Sequence, residues 1–83
     1  MATLRKAHQA ALAPGTIWRL EAPLDGHARS GGSGLATQVA AGRHLRLLTG
    51  IEGTRLRVRL LEDGYPCWLD SEALLAHGRP APA

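Results

Sequence analysis

Cys67, next to Trp68, is the single cysteine of this 83-residue chain and the most reactive group its composition offers. A nucleophilic cysteine acts as a thiolate and needs a neighbouring imidazole or a cationic surrounding to hold that charge. The four histidines, His8, His27, His44 and His77, are separated by 19, 17 and 33 positions, and no pair has the spacing of metal ligands. The residues therefore predict no metal, no cofactor and no catalytic group. Cys67 is expected as a small apolar residue inside a strand, since free cysteine is among the most buried residue types.

A second chemical signal is basic. Arg55, Arg57 and Arg59 recur at every second position, with Arg43 and Arg46 close by in sequence. In a strand that spacing puts guanidinium groups on one outward face, a row suited to phosphate or carboxylate recognition. A net charge of +3 and an isoelectric point near 10.0 make nucleic acid a possible anionic partner. No aromatic residue interleaves the arginines along the chain, as a base-stacking platform would require, and such rows also keep edge strands from aggregating. Nucleic acid therefore ranks below the reading developed next.

These residues sit on an alternating pattern. Leu45 and Leu47 alternate with Arg46, and Leu56, Val58 and Leu60 alternate with the arginine row, so one face of each strand is buried. Strands are expected at Thr16 to Leu20, Ala36 to Val39, Leu45 to Leu48, Arg55 to Leu61 and Cys67 to Leu69. Thr49 to Thr54 and Asp63-Gly64 supply hairpin-type turns, which makes the sheet antiparallel. Asp25 to Gly34 carries four glycines and almost no apolar side chain, and it reads as a loop. Leu4, Ala7, His8, Ala11 and Leu12 fall at helical spacing before Pro14-Gly15, so a short N-terminal helix is expected. Asp70 or Ser71 is placed to cap a helical turn through Leu75, with Gly78 just past its end.

Composition sets the outer limits. With 45% hydrophobic and 20% charged residues, no Phe and only Trp18, Trp68 and Tyr65 as aromatics, the core must come from Leu, Val, Ile and Ala. One cysteine cannot staple a small secreted domain, no run resembles a signal peptide, and none approaches the ~20 apolar residues of a membrane helix. The expectation is a cytoplasmic location without membrane contact. Residues 1–15 are expected to form a helix or arm, 16–77 the barrel, and 78–83 a Pro-rich tail or linker to a further domain.

Two stretches, Leu35-Ala-Thr-Gln-Val-Ala-Ala-Gly-Arg-His-Leu-Arg46 and Glu62-Asp-Gly-Tyr-Pro-Cys-Trp-Leu69, resemble the bacterial SH3-like domain that precedes the catalytic domain of cyanobacterial NlpC-type cysteine peptidases. The similarity covers roughly Ile17 to Leu75. It implies a mainly β fold, a small SH3-like antiparallel barrel with a short N-terminal helix and a short C-terminal helical turn. It also implies a non-catalytic binding module, because the family's nucleophile and catalytic histidines belong to a second, papain-like domain that cuts between D-glutamate and diaminopimelate in peptidoglycan stem peptides. In those enzymes the SH3-like module borders the cleft and selects peptides with a free N-terminal L-alanine. The resemblance thereby points to Glu62, Asp63, Tyr65 and Trp68 as ligand-facing residues, a carboxylate meeting the ammonium and Tyr65 offering a wall and a hydroxyl. The implied partners are a stem peptide or a C-terminal catalytic domain. At position 67 the family commonly carries Gly where this chain has Cys. The alternatives are a basic nucleic-acid-binding barrel and an adaptor subunit that docks on a protein partner.

Overall fold

Seven strands and one helix follow one another in a computed structural model that describes residues 12–32 and 34–81. They are β1 (Ile17–Leu20), β2 (Leu24–His27), β3 (Leu35–Val39), β4 (His44–Leu47), β5 (Arg55–Leu60), β6 (Pro66–Asp70), α1 (Ser71–His77) and β7 (Gly78–Pro80). The strands form one antiparallel sheet in the order β3-β2-β6-β5-β4-β1-β7. Curled around a single core, this is a small SH3-like barrel. The expected N-terminal helix falls largely on residues 1–11, outside the described residues.

Alternation decides which face is buried. Leu45 and Leu47 on β4, Leu56, Val58 and Leu60 on β5, and Cys67 and Leu69 on β6 all point inward, where Trp18, Leu20, Leu24, Val39 and Leu74 meet them. Arg46, Arg57 and Arg59 occupy the intervening exposed positions. Leu12, 3% exposed, also belongs to this core, so the end of the expected arm packs into the barrel. The β5–β6 hairpin closes through Gly64, whose φ of 75° favours glycine, with Gly64 N–H donating to the Leu60 carbonyl at 2.8 Å.

Two expectations need correction. The expected loop from Asp25 to Gly34 begins as a strand, because Asp25, Gly26 and His27 pair with Gln38, Thr37 and Leu35 of β3, and His27 also stands opposite Trp68 of β6. Gly26 suits that place. A Cβ there would lie 3.0 Å from both Cys67 Sγ and Thr37 Cγ2, so the missing side chain at 26 makes room for the thiol at 67. The tail likewise is not a free linker over residues 78–80. It forms β7, with Trp18 opposite Pro80 and Leu20 opposite Gly78, and Arg79 Nε reaches Glu21 Oε2 at 2.8 Å. The open edge of β1 supplies the partner groups, and an edge strand tolerates a proline.

The helix is also longer than one turn, and of the two expected cap residues it is Asp70 that precedes it. Asp70 occupies the N-cap position but makes no side-chain capping bond, because its carboxylate is turned toward Arg55.

Candidate functional site

The turn between β5 and β6 brings Glu62, Asp63 and Tyr65 together, and the sheet partner of β5 holds them there. β4 runs beside β5, with Leu45 opposite Leu60, so the start of β4 lies against the turn. The backbone N–H of His44 donates to both carboxylate oxygens of Glu62, at 3.2 and 3.1 Å, and His44 Nδ1 lies 3.2 Å from Oε2. Asp63 works inside the turn as well: Oδ1 accepts from the Tyr65 N–H at 3.0 Å and Oδ2 from Arg43 Nη2 at 3.1 Å. Arg59 Nη1 donates to the Gly64 carbonyl at 3.1 Å. Both carboxylates therefore face solvent from fixed positions, and Tyr65, 42% exposed, stands beside them. Trp68 lies further along β6 on the outward, half-buried side, between Arg57 of β5 and His27 of β2.

Glu62 shows how the turn is stabilised. Partial burial pushes its carboxyl upward, but the hydrogen bonds from the His44 N–H and imidazole outweigh that and bring it below the ordinary 4.5. A lowered native value means that the contribution is complete above the unfolded value and fades as pH falls through the native one. Glu62→Gln is thus expected to flatten the acid limb of a plot of Tm against pH below about pH 5, with a small loss at neutral pH. An acid limb identical to that of the parent would show that Glu62 does not hold the turn.

The other candidates separate. Cys67 is 3% exposed, and burial, followed by the negative charge of Asp63, pushes its thiol up to about 11. It stays protonated and inert at neutral pH. His27 and His77 line a shallow groove of about 340 Å³ with Asp25 and Asp70, whereas His44 belongs to the turn and His8 lies outside the described residues. Among the described residues no three His, Cys, Asp or Glu side chains gather as a metal would require.

The arginine row is broken, and this corrects the expectation of one continuous outward set. Arg55 is only 9% exposed. Its Nε donates to Asp70 Oδ1 at 2.9 Å, Nη1 to the Arg29 carbonyl at 3.2 Å and Nη2 to the Gly32 carbonyl at 2.6 Å. The segment from Ala28 to Gly32 folds over it. Arg43 is likewise engaged, by Asp63. Arg46, Arg57 and Arg59 remain exposed. Sequence reasoning missed the role of Arg55 because period two fixes the side of a strand but not what later covers that side. The one signal in the sequence is a Gly- and Ser-rich segment with almost no apolar side chain.

A family model for the bacterial dipeptidyl-peptidase SH3 domain matches residues 27–74, more than half of the chain and all of the strands that build the acidic turn. A search of curated proteins found no match. With the antiparallel barrel, the inward alternation and the β5–β6 turn in place, the chain belongs to the bacterial dipeptidyl-peptidase SH3 domain family.

Proposed function

We propose that this SH3 domain is the substrate-selecting module of a cell-wall peptidase and binds peptidoglycan stem peptides at the β5–β6 turn. The observation that carries this reading is the family match, which runs through the turn and names a peptidase-associated domain. The geometry is compatible with it. Two solvent-facing carboxylates held by His44 and Arg43 provide negative charge for a peptide ammonium, and the exposed Tyr65 ring provides a wall. Glu62 and Asp63 keep their internal partners while they do so, since a carboxylate has lone pairs for more than one donor. The inert, buried thiol of Cys67 leaves bond cleavage to a separate catalytic domain, the partner this reading implies.

The test is a backbone-amide NMR titration with a stem-peptide fragment that carries a free N-terminal L-alanine. The expected result is shifts confined to residues 62–68, weakened by N-acetylation of the peptide and lost in Tyr65→Ala. Shifts spread elsewhere, or equal shifts with the acetylated peptide, would remove the turn from the site.

A further inference from the structure

The outward faces of β4 and β5 carry three exposed guanidinium groups, those of Arg46, Arg57 and Arg59. Arg46 stands directly opposite Arg59 across the β4–β5 ladder, an arrangement that is destabilising when left uncompensated. Of the seven acidic residues, Glu21, Asp63 and Asp70 pair with Arg79, Arg43 and Arg55, and Glu62 is held by the His44 N–H and imidazole. Among the described residues no carboxylate pairs with Arg46, Arg57 or Arg59, and residues 1–11 contain no Asp or Glu that could do so. Beside these cations runs a row of planar groups. Arg57, Trp68 and His27 are successive cross-strand neighbours on β5, β6 and β2, and strands about 4.8 Å apart make that row roughly 10 Å long. The folded chain thus sets an indole beside Arg57, a neighbour that the linear sequence does not show. His27 Nδ1, inside the row, is buried without a hydrogen-bond partner among the described residues.

We propose that this face binds single-stranded nucleic acid, with Arg46, Arg57 and Arg59 on the phosphates and a base stacked on Trp68. Guanidinium groups suit phosphate geometry, and a half-buried indole flanked by a guanidinium and an imidazole is a stacking platform that does not depend on sequence. A duplex fits less well. Reading a major groove requires an inserted helix or ribbon, and the β5–β6 hairpin ends in Glu62 and Asp63, which phosphates repel. The surface borders the peptide site and shares Trp68 with it, but it rests on the guanidinium groups of the strand faces and not on the carboxylates of the acidic turn.

Fluorescence anisotropy of the full chain with a labelled oligothymidylate of about 15 nucleotides tests the assignment. Binding at about 50 mM salt that weakens steeply as salt rises is expected. The double variant Arg46→Ser/Arg57→Ser is expected to bind about tenfold more weakly and to lower the salt slope by about 1.4, two phosphate contacts' worth. Trp68→Leu is expected to lose about fivefold in affinity, as a single stacked base would. Arg19→Ser/Arg79→Ser removes the same number of charges from exposed side chains on β1 and β7, outside the proposed face, and is expected to change affinity less than about twofold. Melting curves of all three variants check that each is folded. Equal losses from the two double variants would overturn the proposal, as would absence of binding at low salt. Equal affinity for a duplex or for a sulfated polysaccharide would overturn it too, because the face would then be a general polyanion surface.

Discussion

Val58→Asp is expected to unfold the domain, whereas Arg57→Ser one position away leaves its melting temperature nearly unchanged. Val58 is fully buried and stands opposite Leu47 on one side and Cys67 on the other. A carboxylate there meets only apolar neighbours, and burial of an unpaired charge costs several kcal/mol. A chain of this length has roughly 4–12 kcal/mol of stability to lose, so the substitution removes most or all of it. Arg57 is exposed and has no ion-pair partner among the described residues, so truncation removes no native contact of consequence. Thermal melts followed by circular dichroism decide the matter. Comparable destabilisation by the two variants would mean that the inward and outward faces of β5 have been exchanged.

The contrast between these neighbours is the part of the fold most legible in the sequence. Leu45, Leu47, Leu56, Val58 and Leu60 alternate with charged residues, and period two has only one structural reading when one side is apolar. The strands that alternation could not show are those that tertiary pairing creates. β2, Leu24-Asp-Gly-His27, has one large apolar residue and a glycine, and it is extended because β3 and β6 flank it. β7, Gly78-Arg-Pro80, has no strand signal of its own and exists because β1 offers an unpaired edge.

The same division holds for the site. Glu62-Asp-Gly-Tyr65 could be read as an acidic aromatic turn, since Asp-Gly carries its own turn chemistry. That His44 and Arg43 would hold the two carboxylates could not, because those contacts span 18 and 20 residues and depend on the β4–β5 register. Trp68 was visible as a candidate on the β6 strand. Its place between Arg57 and His27 required the strand order, and the row that supports the nucleic-acid proposal appears only once β6 lies between β5 and β2.

Arg55→Ala carries the second large effect, a loss of about 2–3 kcal/mol, since hydrogen bonds to a charged group contribute about 1.5–3 kcal/mol each and solvent replaces part of them here. In a domain this small that corresponds to a fall in Tm of roughly 10–20 °C. The guanidinium joins three separate parts of the chain: the Arg29 and Gly32 carbonyls of the segment after β2, the Asp70 carboxylate at the start of α1, and its own strand β5. With it gone, the two carbonyls lose their only charged donor among the described residues, while Asp70 is released to cap the helix and recovers some of the loss. Arg55→Lys is expected to rescue little, because one ammonium cannot reproduce a planar fork that spans a carboxylate and two carbonyls. Limited trypsin digestion supplies a local readout: cleavage after the exposed Arg29 should accelerate in Arg55→Ala well before global unfolding. If Arg55→Lys melts like the parent, or if cleavage after Arg29 is no faster in Arg55→Ala, the guanidinium does not hold this segment. The consequence reaches the binding face. The segment that Arg55 holds continues directly from His27, so its release should also loosen the end of the Arg57–Trp68–His27 row and weaken oligothymidylate binding at temperatures where the barrel is still folded.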